Sequence, residues 1–317
     1  MILRADLPSG PGADMLLATI DFHVTSECSQ KCPYCWGPRD YVNPIDTPTA
    51  LRIVTHIKDV GARRIVFTGG DPLLRSDICG LVQHAKKIGL EVALSTTGDQ
   101  ITKAFLDEAG PSVDLISLPL DGSSEEISAR TKEPGHFLVV MAVLELLRRY
   151  QWIDLKVCTP VTRYNLADVP RIRQLVEEYA GRTRARVFYN VFQTFPRAMC
   201  PVDWNSLVVT RPEFTSLKRQ LGEMSPLRTN VLDHKTLDRL YVLVFPDGSL
   251  VFPSGSTFRN LGRFVDLTTE ELATMLRAAQ FDSVKHLRYS RGWEKGFAGQ
   301  WKMEGVDGRN EHGFFCP

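Results

Sequence analysis

Three of the seven cysteines in this 317-residue chain lie within eight residues, where their type and spacing could bind metal. Cys28, Cys32 and Cys35 form the pattern C-x3-C-x2-C inside the segment DFHVTSECSQKCPYCWGPRD, residues 21–40. Three thiolates from one short loop can hold three corners of an iron–sulfur cube, whereas a structural cluster normally takes a fourth cysteine. The spacing therefore predicts one 4Fe-4S cluster whose fourth iron is open to another ligand.

Three alternative roles for these cysteines stay open. A zinc site would usually need a second C-x2-C or Cys/His pair about 12–20 residues further on, and none follows. A disulfide framework fits poorly with the chain's length, its odd number of cysteines and the lack of a signal segment. Cysteines buried in a core, with Tyr34 and Trp36 as core aromatics, are disfavoured because Pro33 and Gly37-Pro38 indicate a loop.

The bulk composition limits the classes of partner. Lys and Arg number 38 against 37 Asp and Glu, so the basic excess typical of nucleic-acid binders is missing. No apolar run approaches the ~18–20 residues that span a bilayer. We therefore expect no nucleic-acid or membrane partner and a cytoplasmic location, where thiols stay reduced.

Strand-like and helical patterns alternate through residues 16–192. Strands are predicted at 16–24, within 63–72, and at 90–95, 113–120, 155–161 and 185–192. Helices are predicted at 47–61, 77–88, 103–109, 125–130, 138–149 and 169–179. Six strand–helix units imply a parallel sheet with right-handed crossovers, here an α/β fold with a partial (β/α)6 TIM-like barrel. Chemistry in such folds occurs at the carboxyl ends of the strands.

A glycine-rich motif follows the second predicted strand. Thr68 precedes Gly69, Gly70, Asp71 and Pro72, and paired glycines let main-chain groups come close to a bound amino acid. This GGDP motif resembles the GGEP motif of the radical S-adenosylmethionine (radical SAM) superfamily, with Asp in place of Glu. The cysteine spacing, with an aromatic residue before the last cysteine, resembles the cluster loop of the same family.

The resemblance also implies contacts to S-adenosylmethionine (SAM) at later strand ends. Ser95, Thr96 and Thr97 resemble the polar step that meets the methionine or ribose part of SAM. Ser117 and Arg130 resemble the hydroxyl and guanidinium that hold its ribose and carboxylate, since a guanidinium can donate two parallel bonds to a carboxylate. The residues that the resemblance assigns to cofactor binding are Tyr34, Thr68, Gly69, Gly70, Asp71, Ser95, Thr97, Ser117, Arg130, Asn165 and Tyr189.

The pattern changes after about residue 200. We divide the chain into an irregular lead-in at 1–15, the partial barrel at 16–200 and a small α+β region at 201–317. The last region has a predicted helix at 212–221, a hairpin at 240–251, a loop at 252–263 and a helix from Thr268. It resembles the SPASM and twitch extensions of family members that bind auxiliary clusters.

One departure from those extensions bears on the number of clusters. A cysteine usually follows the hairpin's proline there, whereas Ser254 follows Pro253 here, and no cysteine lies between Cys200 and Cys316. We therefore expect a single cluster.

The resemblance implies a mechanism as well as a fold. The open iron would chelate the amino and carboxylate groups of SAM. One electron would cleave the sulfonium, and the resulting 5'-deoxyadenosyl radical would abstract a hydrogen atom from substrate. A flavodoxin or ferredoxin would supply the electron.

The fate of the substrate radical follows from the expected cluster count. Without an auxiliary cluster to accept an electron, a redox-neutral outcome is favoured: rearrangement, elimination or epimerisation. Cys316 and Cys200 are candidate hydrogen donors for epimerisation, and Tyr189, Tyr289 and Trp301 are less favoured ones.

Three functions are carried forward. The first is modification of a small molecule of specialised metabolism, such as a sugar, aminocyclitol or nucleoside, favoured because the core begins too soon for an N-terminal peptide-recognition domain. The second is modification of a ribosomal peptide precursor, which the C-terminal extension supports. The third is an iron–sulfur sensor without catalysis, which would need the cysteines but neither GGDP nor Arg130.

Overall fold

The computed structural model describes residues 17–37, 42–197, 202–222 and 227–291, and these contain ten strands. The strands are β1 Thr19–Thr25, β2 Arg64–Gly69, β3 Glu91–Ser95, β4 Leu115–Pro119, β5 Asp154–Val161, β6 Val187–Gln193, β7 Arg228–Leu232, β8 Leu243–Val244, β9 Ser249–Ser254 and β10 Thr257–Arg263. The helices are α1 Thr47–Asp59, α2 Ile78–Lys87, α3 Lys103–Ala109, α4 Glu125–Ser128, α5 His136–Leu147, α6 Val169–Ala180, α7 Trp204–Leu207, α8 Arg211–Gly222, α9 His234–Leu237, α10 Thr269–Ala278 and α11 Ser283–Arg291.

All ten strands belong to one sheet, in the order β10-β9-β8-β1-β2-β3-β4-β5-β6-β7. Strands β1 to β6 pair in parallel with their sequence neighbours, as the alternating pattern predicts. Helices α1, α2, α3, α5 and α6 occur between these strands. The prediction of an α/β fold with a parallel, partial TIM-like barrel is confirmed.

The C-terminal region continues the same sheet at both ends. Strand β7 pairs in parallel with β6, and β8 pairs in parallel with β1. Strand β9 turns back against β8 through the hairpin predicted around Pro246-Asp247-Gly248. The 16–200 and 201–317 regions thus share one sheet, and the residues at their proposed boundary, 198–201, lie outside the described residues.

The sequence misses two strands, and both lie at edges of the sheet. The pattern predicts a loop at 252–263, but β9 extends to Ser254 and β10 pairs with it antiparallel after a turn at Gly255, whose φ is +56°. No pattern predicts strand β7. An edge strand with mostly exposed or half-buried side chains carries little apolar alternation, so its pairing partner, and not its own sequence pattern, defines it.

Helix α1 begins as predicted, at Thr47. Its N-cap is Asp46, whose carboxylate accepts a hydrogen bond of 3.0 Å from the main-chain N–H of Thr49. The carboxylate thus accepts from a free N–H of the first helical turn.

A buried histidine joins the last described helix, α11, to the first strand. His286 Nε2 accepts hydrogen bonds from the main-chain N–H groups of Ala18 (2.9 Å) and Thr19 (3.2 Å), so the ring's Nδ1–H donates to the carbonyl of Leu240 at 2.7 Å. These contacts hold α11 against the start of β1. In the described part of the chain, no helix is both long and apolar enough to cross a bilayer.

Candidate functional site

A cavity of about 370 Å³ brings together the three clustered cysteines, the glycine motif and side chains from the inner face of the sheet. Cys28, Cys32 and Cys35 line the cavity where β1 ends, and none of them forms a disulfide. Its wall comes from strands β1 to β6, and residues of α9, β8 and α11 complete it. The cysteine loop therefore borders a cavity inside the barrel, where its predicted cluster would meet a bound molecule.

The cysteine loop is tied to neighbouring strand ends by its own side chains. Ser29 donates a hydrogen bond to Asp99, and Gln30 Nε2 donates another to the same carboxylate at 3.0 Å. The Gln30 side-chain oxygen accepts from the main-chain N–H of Glu133 at 3.0 Å. The loop that carries the thiols is thus held from the ends of both β3 and α4.

The two glycines of GGDP let this motif pack directly against the cysteine loop. A Cβ on Gly69 would lie 2.2 Å from the carbonyl oxygen of Thr25, and one on Gly70 would lie 1.9 Å from that of Glu27. The Gly70 N–H donates to the Thr25 carbonyl at 2.8 Å. The sequence predicts close main-chain approach to a bound amino acid, and the approach seen here is to the backbone that leads into the cysteines.

Asp71 orders the polar step that follows β3. Its carboxylate is fully buried and accepts hydrogen bonds from the hydroxyl groups of Thr96 (2.7 Å) and Thr97 (2.5 Å) and from the N–H of Leu73 (3.1 Å). Both threonines line the cavity, but Asp71 does not. Asp71 therefore shapes the cavity indirectly, by orienting the side chains of Thr96 and Thr97.

Beside Cys32 lies a buried group of ionisable side chains. Lys132 Nζ donates to Cys32 Sγ at 3.1 Å and lies 4.0 Å from Asp121 Oδ1. Asp121 also accepts hydrogen bonds from the hydroxyl groups of Thr131, at 2.7 Å, and Tyr34. Burial lowers the pKa of Lys132, but Asp121 and Cys32 outweigh burial and raise the pKa of this amine above its usual value. Lys132 therefore keeps its positive charge.

The base of the cavity, made by strands β1, β2 and β5, carries three further charged side chains: Asp21, Arg64 and Lys156. Burial raises the pKa of Asp21 to about 6, against the opposing effect of Lys156 and Arg64. Arg64 is 4% exposed and donates to Glu91 at 2.8 Å, while its Nε has no hydrogen-bond partner among the described residues. Burying a charged side chain costs folding free energy unless a partner or a ligand forms hydrogen bonds or an ion pair with it.

Uncharged polar side chains surround this base. The hydroxyl groups of Tyr241 and Tyr289 lie 3.2 Å apart, and Ser117 Oγ lies 3.4 Å from Cys158 Sγ. All four residues line the cavity. The base can therefore offer several hydrogen-bonding groups to a polar molecule.

The cavity wall includes most of the residues that the resemblance assigned to the cofactor. Seven of the eleven line it: Tyr34, Thr68, Gly69, Gly70, Ser95, Thr97 and Ser117. The other four do not: Asp71, Arg130, Asn165 and Tyr189.

Each of the four has an observable reason to lie elsewhere. Arg130 is exposed and pairs with Glu126 at 3.3 Å, one helical turn earlier. Asn165 is buried and donates to the carbonyls of Asp121 (2.9 Å) and Pro160 (3.0 Å). Tyr189 is fully buried, and its hydroxyl donates to Thr159 at 3.1 Å. Asp71 is occupied by the hydrogen bonds described above. These four residues do not line the cavity, and their contact with the cofactor stays a prediction.

Two of the five candidate hydrogen donors, Tyr189 and Tyr289, lie among the described residues. Tyr289 lines the base of the cavity, and Tyr189 is in the core behind it. Cys200, Trp301 and Cys316 lie outside the described residues.

Sequence reasoning missed the charged side chains inside the strands that line the cavity. Strand β1, TIDFHVT, alternates polar and apolar residues, and Asp21 lies on its polar face, while Lys156 alternates with Leu155 and Val157 in β5. A charge on the second face of a strand in a covered parallel sheet is a signal for a residue that faces a lumen. Lys132 had a weaker signal, two residues after Arg130, and nothing in its spacing indicates Cys32.

The donor set fits an iron–sulfur cluster. Among the described residues no three His, Cys, Asp or Glu side chains gather as ligands of a single ion would. A cubane does not need that geometry, because each thiolate binds a different iron. Burial raises the pKa of Cys28 to about 11 and also raises that of Cys32, so metal must displace the thiol protons on binding.

Comparison with protein families gives the site its context. Residues 22–176 match the family model described as the radical SAM superfamily. The chain carries a radical SAM domain. This segment includes the three cysteines, GGDP and strands β2 to β5, which together supply the cluster end and most of the cavity wall. Relatives that match this segment are named as enzymes.

The radical SAM domain is shared with relatives of different named activities. An AdoMet-dependent heme synthase of Oleidesulfovibrio alaskensis (strain ATCC BAA-1058 / DSM 17464 / G20) is 32% identical over 184 residues, which cover 56% of this chain and 46% of that protein. An S-adenosylmethionine-dependent nucleotide dehydratase of Flammeovirga pacifica is 23% identical over 246 residues, 74% of this chain and 81% of that protein. The chain spans about half the length of the heme synthases that it matches.

Solved structures share the fold beyond this domain. The structure described as native anSMEcpe with bound AdoMet and Cp18Cys peptide superposes with a TM-score of 0.68 at 17% identity, covering 86% of this chain and 84% of that one. The likeness therefore includes C-terminal elements as well as the radical SAM domain, and at this identity it is a likeness of fold.

Proposed function

We propose that this protein is a radical SAM enzyme that acts on a small polar molecule inside the barrel. One observation carries the proposal: the three clustered cysteines line the same cavity as the charged base formed by Asp21, Arg64 and Lys156. A cofactor held at the rim and a substrate held at the base would share one enclosed volume. Such an arrangement keeps water away from a reactive intermediate.

The residues for each part of the cofactor can be named. Cys28, Cys32 and Cys35 would hold the 4Fe-4S cluster, and the main chain of Gly69 and Gly70 lies beside them. We propose that SAM contacts five side chains that line the adjoining wall: Tyr34, Thr68, Ser95, Thr97 and Ser117. When bound, the reduced cluster and SAM would supply a 5'-deoxyadenosyl radical that takes a hydrogen atom from substrate.

The cavity supports a small substrate over a large one. Its volume of about 370 Å³ is at the lower end of the range of pockets for small molecules, and SAM would occupy part of it, so little room is left for a large substrate. The charged side chains of Arg64 and Lys156 and the paired hydroxyls of Tyr241 and Tyr289 would bind a molecule rich in oxygen atoms, such as a sugar, aminocyclitol or nucleoside. Two named relatives are nucleotide dehydratases, which is consistent with this class.

The reaction is proposed to be redox-neutral. Its subclass, which we limit to elimination, rearrangement or epimerisation, rests on the expectation of a single cluster. A flavodoxin- or ferredoxin-type protein in the cytoplasm would supply the electron, because the family's chemistry starts from a reduced cluster.

Modification of a ribosomal peptide is the second candidate. Its support is the superposition on a structure that contains a bound peptide, together with the exposed edge strand β10, to which an extended peptide could pair. A sensor without catalysis is the third candidate, and it would leave the charged base of the cavity without a role.

Cofactor cleavage tests the enzymatic proposal. After anaerobic reconstitution and reduction, the wild type should convert SAM to 5'-deoxyadenosine and methionine, and Cys32→Ala should not. Cys79→Ala is the matched control, because Cys79 lies on α2 and does not line the cavity. Continued cleavage by the Cys32 variant would contradict the proposal.

Substrate class can be tested by isotope transfer. Nucleotides, sugars and aminocyclitols labelled with deuterium are incubated with the wild type, and deuterium is sought in 5'-deoxyadenosine. Transfer from one of these molecules, lost in Lys156→Met, supports a substrate at the cavity base. Transfer only from a labelled peptide would favour the second candidate.

A further inference from the structure

A buried ammonium group lies directly against one of the three cysteines. Lys132 Nζ is 3.1 Å from Cys32 Sγ, and its side chain is only 5% exposed. The charge is also 5.7 Å from the centre of the Tyr34 ring. A lysine is rarely buried without a partner, because desolvation of its charge is expensive. The placement therefore indicates a functional role.

The position of the ammonium group is fixed by its counter-charge. Asp121 is fully buried, follows β4, and lies 4.0 Å from Lys132 Nζ through its Oδ1. The other carboxylate oxygen is bound by Thr131 and Tyr34, and Asn165 donates to the Asp121 main-chain carbonyl at 2.9 Å. Residues from three separate segments thus hold Asp121 in place beside Lys132.

We propose that Lys132 is a positioning residue that raises the reduction potential of the cluster held by Cys28, Cys32 and Cys35. The inference rests on the proposed function for the existence of that cluster. Reduction adds a negative charge to a cluster already bound by three thiolates. A cation that donates a hydrogen bond to a ligating sulfur stabilises the reduced form more than the oxidised form.

The surroundings strengthen this effect. Both Lys132 and Asp121 are nearly excluded from solvent, and charges interact more strongly there than in water. Asp121 has the opposite sign and lies 4.0 Å from the ammonium group, so it moderates the effect of Lys132 on the sulfur. Neutralising each partner in turn should therefore shift the potential in opposite directions.

The test is a reduction-potential measurement on the reconstituted holoprotein without SAM, by anaerobic titration followed by electron paramagnetic resonance. Lys132→Met should move the midpoint to more negative values by at least the 59 mV that corresponds to a tenfold loss in the equilibrium constant for one-electron reduction. Lys132→Arg should restore most of the shift. Asp121→Asn should move the midpoint to more positive values.

A control and the iron content separate charge from structure. Lys103→Met removes an equally basic side chain from the surface of α3, where it pairs with Asp107, and should leave the potential unchanged. Potentials are compared only at equal iron per chain. If Lys132→Met fails to take up iron, a positive shift in Asp121→Asn with a wild-type potential in Lys132→Arg still supports the inference.

The outcomes that overturn the inference differ from those that overturn the proposed function. A wild-type protein that forms no cluster removes the proposed function itself. A normal cluster whose potential is the same in the wild type and Lys132→Met overturns the role of Lys132 alone. That role is equally overturned if Asp121→Asn leaves the potential unchanged or moves it in the negative direction.

Discussion

Asp71 gives the acidic position of the glycine motif a specific physical task. Its carboxylate satisfies the two threonine hydroxyls that follow β3 and one main-chain N–H, all away from solvent. Thr96 and Thr97 are thereby held with fixed orientation at the cavity wall. Aspartate is shorter than the glutamate of the related motif, and at this buried position it reaches all three partners.

Replacing Asp71 by alanine should therefore destabilise the fold. The change leaves the buried hydroxyl of Thr96 and the N–H of Leu73 without their acceptor, while the hydroxyl of Thr97 keeps the Asp99 carboxylate at 2.9 Å. We expect a cost of about 2–4 kcal/mol in the free energy of unfolding. Urea denaturation monitored by circular dichroism measures it. Asp59→Ala, at an exposed carboxylate in the last turn of α1, is the control and should change stability little. Equal midpoints for the Asp71 variant and the wild type would contradict this role.

Individual contacts could be inferred from the sequence only where spacing constrains them. The three cysteines lie within eight residues, so their convergence follows from one loop. Arg130 and Asn165 lie in the expected segments, but spacing does not determine that Arg130 pairs with Glu126 or that Asn165 holds the Asp121 carbonyl. Such side-chain directions depend on neighbours that are distant in sequence.

At the scale of elements, the cysteine loop and the glycine motif behave as one unit. The main chain of Gly70 touches Thr25 and Glu27, so the end of β2 supports the start of the loop that carries the thiols. Glycine is required here because any side chain would occupy the space of a neighbouring carbonyl group.

Gly70→Ala tests this packing. Its Cβ would lie 1.9 Å from the Glu27 carbonyl oxygen, so we expect a loss of about 3 kcal/mol or more in stability and a smaller iron content after reconstitution. Gly80→Ala is the matched control, since a Cβ at this position on α2 would have no atom within 4 Å and alanine favours helix by about 1 kcal/mol. Normal iron uptake by the Gly70 variant would disprove the coupling of the two elements.

The docking of α11 on β1 should depend on pH through His286. Burial, together with nearby Arg63, lowers the pKa of this ring to about 4, although its bond to Leu240 opposes the shift. The folded state therefore binds fewer protons than the unfolded state between pH 6.5 and 4. Stability from His286 is complete above about pH 6.5 and is lost towards pH 4, by up to about 3 kcal/mol.

The variant His286→Gln isolates this contribution, because glutamine is neutral at both pH values. Its free energy of unfolding should fall less than that of the wild type between pH 7 and pH 4.5. His23, with a pKa lowered to about 4 by burial, and Asp21, with a pKa raised to about 6, titrate in both proteins and cancel in the difference. Parallel pH profiles for the two proteins would refute the assignment.

Central and edge elements differ in how well the sequence predicts them. The strands β1 to β6 bury most of their side chains and show the apolar pattern that predicts them, with ends within a few residues of those observed. Strands β7 and β10 lie at the two edges and have mainly exposed or half-buried side chains. Their strand character comes from backbone pairing, which a local pattern does not contain.

At the scale of the whole molecule, one sheet connects the two regions that the sequence distinguishes. Tyr241 and Tyr289 come from the C-terminal region and meet Asp21, Arg64 and Lys156 of the barrel around one cavity. The composition of the chain predicts a full core, but the pairing of β8 with β1 that brings the tyrosines to the lumen depends on contacts more than 200 residues apart. The substrate end of the site could thus not be predicted in the way that the cysteine loop was.

The most direct test of the central claim is the electron paramagnetic resonance spectrum of the reduced, reconstituted protein before and after addition of SAM, with iron measured on the same sample. We expect about four irons per chain for a single cubane, and a spectrum that changes when SAM binds its open iron. Zinc in place of iron, or a cluster whose spectrum is unaffected by saturating SAM, would contradict the account.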